Sequence, residues 1–113
     1  MGLDCYVQRR IEGPSIYYPE ENNGEYHYKE LWYSRKFWEV HHYFGNKLAV
    51  GEDNNCEYIP IEEEDIQNLT NMLVINGVLN HELDEYRQQE LSDLIELLKS
   101  QESLDDLYYW GWY

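Results

Sequence analysis

The side chains best suited to chemistry in this sequence are few: Asp4, Arg35, Lys36, His41 and His42, with Cys5 and Cys56. Arg35, Lys36 and His41 share one short segment. With Asp4 brought in from the first strand they could form an anion-binding or acid/base pocket, in which the cations hold a negative group and the imidazole moves a proton. The competing reading is structural. Arg35 pairs with Glu39 four residues on, and His41 hydrogen-bonds within the fold.

A metal centre finds little support. His41 and His42 are adjacent, so on a helix they point about 100° apart and cannot readily share an ion. Neither cysteine has a CxxC partner, and no HExxH occurs. Asp53, Asn55, Glu57 and Glu64 fall at oxygen-ligand positions of a calcium loop, but Tyr58 stands where its sharp turn needs glycine and Pro60 follows. Chance spacing in an acid-rich stretch explains them better. There is no Gly-rich phosphate loop and no Gly-x-Ser-x-Gly elbow. The sequence therefore names no catalytic residue, no metal and no cofactor.

Charge is the stronger signal. The 113 residues carry a formal net charge of −15, and it is uneven. Through Lys47 there are six basic and seven acidic residues; from Leu48 onward there are two basic, Arg87 and Lys99, and sixteen acidic. Direct nucleic-acid binding is disfavoured, because duplex affinity rests on basic residues that neutralise phosphates. Anionic lipid surfaces repel such a chain, and no run approaches the length of a membrane helix. Two cysteines make no disulfide framework, and no apolar segment preceded by basic residues lies near Met1, so the cytoplasm is the expected compartment. The 12 tyrosines and 4 tryptophans exceed what a core of this size buries, which predicts exposed aromatics of the kind that contact surfaces use.

These residues need elements to position them. Leu3 to Arg9 alternates as a half-buried strand and ends at Gly13-Pro14. Residues 12 to 25 read as a long loop whose Tyr17 and Tyr18 could make contacts. Glu25 to Tyr33 is a second strand; Ser34 then serves as the N-cap of a helix to Phe44 that buries Tyr33, Phe37, Val40 and Phe44. Leu48 to Val50 and Tyr58 to Ile61 are short extended segments. A helix from Glu62 to Leu73 buries Ile66, Leu69 and Leu73, and its first turn, Glu62, Glu63, Glu64 and Asp65, suits the positive end of the helix dipole. Asn76-Gly77 and Asn80 mark a connection. Asp84 to Gln101 is the clearest helix, with Leu91, Leu94, Ile95 and Leu98 inward and Glu85, Glu90, Asp93 and Glu96 outward. Leu107 to Tyr113 reads as a final strand. Together these elements predict one α+β domain over residues 1–113: a small antiparallel or mixed sheet of about four strands with three helices on one face.

Met1-Gly2-Leu3-Asp4-Cys5-Tyr6, and Glu30-Leu31-Trp32-Tyr33-Ser34-Arg35-Lys36 followed by His41-His42-Tyr43-Phe44, resemble small, largely uncharacterised phage-encoded proteins. Those begin MGLDxY and carry a Tyr-Trp-Arg-Lys-x4-His-x-Trp-Phe segment. This chain departs at Ser34 and Tyr43, where tryptophan is usual, and at Cys5, where methionine is frequent. The resemblance implies phage origin and the host cytoplasm, and supplies no reaction.

Phage origin gives the acidity a purpose, since carboxylates on a rigid scaffold can stand where a nucleic-acid enzyme expects phosphates. The expected function is inhibition of a host nucleic-acid-processing or defence complex, of the anti-CRISPR or anti-restriction type, through the basic surface of a host protein. The expected contact residues are Glu62, Glu63, Glu64, Asp65, Glu85, Asp93 and Glu96, helped by Tyr17 and Tyr18. The alternative is a small enzyme or ligand-binding protein using Asp4, Arg35, Lys36 and His41.

Overall fold

The computed structural model describes residues 2–13, 26–48, 55–75, 77–78 and 81–113. In chain order the elements are β1 (Asp4–Glu12), β2 (Tyr26–Arg35), α1 (Trp38–Gly45), β3 (Ile59–Pro60), α2 (Glu63–Val74), β4 (Gly77–Val78), β5 (His81–Glu82), α3 (Glu85–Ser100) and β6 (Leu107–Trp112). Four strands form an antiparallel sheet in the order β2-β1-β6-β3, while β4 and β5 make a separate two-stranded hairpin. This is the expected α+β architecture, with one small hairpin added at the Asn76–Asn80 connection.

Alternation decides the faces of the sheet. Leu3, Cys5 and Val7, then Trp32, Leu107 and Tyr109, bury their side chains in one cluster with Phe37, Val40 and Phe44 around α1, Leu69 and Met72 of α2, and four residues of α3. Tyr109 is fully buried and its ring stacks on Phe44 with centroids 4.4 Å apart. Each large side chain so buried contributes about 1.5–3 kcal/mol. Pro60 sits on the edge strand β3, where its missing N–H costs no ladder bond.

Helices α2 and α3 begin where carboxylates can accept N–H groups at the helix start, whereas α1 follows Phe37 with no side-chain cap. The Asp84 carboxylate accepts from the Arg87 N–H at 2.8 Å, capping α3. At α2 the Asp65 carboxylate reaches back to the Glu62 N–H at 2.7 Å, half of a capping box. The other end of α3 is held by Arg9, whose guanidinium donates to the Ser103 and Asp105 carbonyls and to Gln101.

Three expectations are corrected. Ser34 is not an N-cap: β2 continues through Arg35, and Lys36 takes a left-handed φ of 61° while its N–H bonds the Leu3 carbonyl at 2.6 Å. The ladder thus outlasts the helical pattern, α1 starts only at Trp38, and Tyr33 lies exposed on the strand. Asp65 is fully buried, salt-bridged to Lys47 at 2.6 Å and accepting the Tyr43 hydroxyl at 2.5 Å, so it belongs to no contact surface. Glu90 is half-buried and ion-paired with Arg87 at 2.6 Å, and it accepts the Ser34 hydroxyl, locking α3 onto β2. The segment 49–54 and Tyr17 and Tyr18 lie outside the described residues.

Gly111 fills a position no other residue can take. A Cβ there would lie 2.4 Å from His41 Nδ1 and 2.8 Å from the Tyr109 hydroxyl, which themselves share a 2.7 Å hydrogen bond. The imidazole rests on bare backbone. Gly111→Ala is expected to lower stability by about 1–3 kcal/mol, and a smaller loss in a His41→Ala background, measured by urea unfolding, would verify the clash.

Burial also pushes the Cys5 thiol up to about 11 and raises the Tyr109 hydroxyl. Both groups are neutral in the fold and charge more easily when unfolded. The thiol's contribution is intact below pH 9.0, its ordinary value, and is lost as pH rises through 11. Unfolding midpoints recorded across that window should fall, and fall less in Cys5→Ala.

Candidate partner-binding surface

Because the helices cover one face of the sheet, the other is left open, and alternation fills it with aromatics. Directly paired strand residues share a face, which gives rows across the sheet. Arg35, Asp4 and Trp112 form one row; Tyr33, Tyr6 and Trp110 form the next. Glu30, Gln8 and Tyr108 follow, then Tyr28 beside Arg10. A bulge between Val7 and Gln8 restores this phase after Leu31.

The rings touch in a run from Tyr33 to Tyr26. Tyr6 lies 5.1 Å from Tyr33 and 5.6 Å from Trp110, and Tyr58 stacks on Tyr28 at 4.3 Å. Four of them remain well exposed: Tyr26 at 39 %, Tyr33 at 45 %, Tyr58 at 41 % and Trp112 at 52 %. The Arg10 guanidinium sits 5.7 Å from the centroids of both Tyr26 and Tyr108 and bonds Asp106 at 2.8 Å. One arginine of the chain is thus already held by two rings and a carboxylate.

The acidic residues lie elsewhere. Helix α2 packs antiparallel to α3, since Glu63 lies beside Leu98 to Asp105 while Leu73 lies beside Glu85 to Ser92. A groove of about 720 Å3 opens where they meet, lined by Ile61, Ile66, Leu98 and Leu104 together with Glu62, Glu63, Glu102, Asp105 and a single cation, Lys99. Glu64, Glu85, Asp93 and Glu96 are exposed as expected, but twelve residues of α2 span about 18 Å, so the carboxylates are spread along a helical layer and not gathered in one patch.

The alternative pocket is partly assembled. Gly2, Asp4, Tyr33, Arg35, Trp112 and Tyr113 line a concavity of about 460 Å3 at one corner of the open face. Lys36 joins Arg35 beside Gly2, its Cε 3.6 Å from where a Cβ would stand. His41 does not join them. It is buried behind Tyr113, with ring centroids 5.3 Å apart, in hydrogen-bond contact with Tyr109. The expected Arg35–Glu39 pair does not form, because the helix begins after Arg35 and not before it. Among the described residues no group of three or more His, Cys, Asp or Glu could hold a metal, and Asn55 instead accepts the Tyr113 N–H.

The tyrosines of the open face are held in their neutral form by their surroundings. The Tyr33 hydroxyl donates to Asp4 at 2.7 Å, and that bond, with the carboxylate charge, pushes Tyr33 up to about 12. Desolvation raises Tyr6, Tyr28 and Tyr58. Asp4→Asn should return Tyr33 toward its ordinary 10.0, so that tyrosinate absorbance appears earlier in an alkaline titration than in the parent protein.

Sequence reasoning anticipated exposed aromatics but not where they lie. Strict alternation in Tyr108, Trp110 and Trp112 was the available signal. The chain matches no known protein-family model, no curated protein and no solved structure.

Proposed function

We propose that the protein is a binding protein that engages a basic macromolecular surface. The observation that carries this reading is the groove between α2 and α3, lined by apolar side chains and by four carboxylates, Glu62, Glu63, Glu102 and Asp105, against one cation, Lys99, on a helical layer that also exposes Asp93 and Glu96. Apolar contact supplies affinity there, and the carboxylates steer a cationic partner. Together with the phage resemblance, this favours inhibition of a host nucleic-acid-processing or defence complex, anti-CRISPR or anti-restriction in type, with carboxylates standing in for phosphates. Among the described residues no helix is long and apolar enough to cross a membrane.

Host proteins retained by the immobilised chain at 0.15 M salt should be basic and released at 1 M, where the screening length falls from about 8 Å to about 3 Å. The triple reversal Asp93→Lys, Glu96→Lys and Glu102→Lys should abolish retention. Retention of the same proteins by that variant would refute the reading.

The corner concavity favours a second reading, a small-ligand or enzymatic site using Asp4, Arg35 and Lys36 without His41. Activity in cells that survives Arg35→Ala would discard it.

A further inference from the structure

We infer that the corner concavity beside Gly2 binds a nucleoside monophosphate, with the phosphate on Arg35 and Lys36 and the flat base against Trp112. This rests on the second reading above, whose ligand class it names, and it is independent of the acidic groove.

Positive charge is left uncommitted at this corner. Among the described residues, salt bridges hold Arg10, Lys47 and Arg87, and Arg9 is taken up by Gln101 and two carbonyls. Arg35 and Lys36 enter none of these bridges. Asp4, the one carboxylate side chain lining the concavity, accepts the Tyr33 hydroxyl instead. Successive strand residues point to opposite faces, which would part the two cations. The left-handed φ of 61° at Lys36 breaks that alternation. Arg35 Nη2 and Lys36 Cε consequently lie 3.5 and 3.6 Å from one point, the place a Cβ on Gly2 would occupy. A strained backbone thus gathers two like charges that repel each other, and an anion between them removes the repulsion.

Chemistry and spacing select the ligand. An arginine fork beside a lysine matches the oxygens of a phosphate monoester, which carries about −1.5 to −2 charge at pH 7. Trp112, 52 % exposed, supplies a ring on which a base can stack. It shares a row with Arg35 and has Asp4 between, so the two lie two strand spacings apart, about 10 Å. A ring bearing its charge directly cannot meet both, whereas a base and a phosphate separated by a ribose can. The concavity of about 460 Å3 is of small-ligand size. A longer strand would carry its further phosphates past the two cations toward Glu30 and Asp106, which favours a single nucleotide. The acidic helices lie on the other side of the sheet, and at 0.15 M salt their field falls off over about 8 Å.

The test titrates AMP, GMP, CMP and UMP calorimetrically into the full chain at 0.15 M salt. At least one should bind at millimolar concentration or below, about tenfold tighter than its nucleoside and than ribose 5-phosphate. Lys36→Gly should weaken that nucleotide about tenfold without lowering the thermal midpoint, because glycine adopts a φ of 61° freely. Arg35→Gln should weaken it likewise, and Trp112→Leu should reduce it to the affinity of ribose 5-phosphate, while circular dichroism verifies each fold. Absence of binding by all four nucleotides, or binding that Lys36→Gly and Arg35→Gln leave unaltered, overturns the inference. So does ribose 5-phosphate that binds as tightly as the nucleotide, or a single-stranded oligonucleotide that binds more tightly. If no nucleotide binds while Arg35→Ala still abolishes activity in cells, this inference fails and the second reading stands. If a nucleotide binds as expected while that activity survives Arg35→Ala, the second reading fails and the binding site stands alone.

Discussion

The pairing of β6 with β1 decides which way the central side chains of the sheet point. With Val7 opposite Tyr109 and Tyr6 opposite Trp110, Leu107, Tyr109 and Gly111 turn toward the helices while Tyr108, Trp110 and Trp112 turn away. A slip of one residue would exchange the two sets, exposing the stacked Tyr109 and driving Trp110 into the core. The register is held by more than ladder bonds. His41 occupies the gap above Gly111, the Cys56 N–H bonds the Gly111 carbonyl at 2.7 Å, and Arg9 ties the loop after α3 to β1. Only one alignment satisfies all three.

From that register follows a molecule with two unlike sides. The helical layer carries most of the charge because helices with one apolar stripe turn their remaining positions to water. The sheet face carries rings because Tyr26, Tyr28 and Tyr33 of β2, Tyr6 of β1 and Tyr108, Trp110 and Trp112 of β6 share the outward positions with a few charged side chains. Where acid and aromatic meet, at Asp4 with Tyr33 and at Asp106 with Arg10 and Tyr108, each carboxylate is engaged by a hydroxyl or a guanidinium. The two sides therefore differ in the kind of force they exert: a long-range field that salt screens, and short-range ring contacts that salt barely touches.

The fold class and most element bounds were legible in the sequence because they rest on periodicity, which is local. Leu91, Leu94, Ile95 and Leu98 predict α3, and Leu3, Cys5 and Val7 predict β1, without any partner. Ser34 misled because a good capping residue is also a good strand-end residue; the choice was made by the Leu3 carbonyl and Glu90, both distant in sequence. Asp65 was assigned to a solvated run, whereas Lys47 and Tyr43 draw it inward. The corner around Asp4, Arg35 and Lys36 was foreseen by residue type, and His41 fell outside it once α1 began three residues late. The aromatic face could not be read without the strand order, since Tyr6, Tyr33 and Trp110 are neighbours only after β6 has entered between β1 and β3.

That entry has a consequence for synthesis. Arg9 finds Asp105 across 96 positions, and the strand that fills the centre of the sheet emerges from the ribosome long after β1 and β2. Until β6 arrives, the nascent hairpin shows water both its ring face and an unpaired inner edge, the form most prone to pairing with other chains. A fold this dependent on distant strands closes slowly, and the carboxylates that α2 and α3 expose repel other copies of the unfinished chain in the meantime.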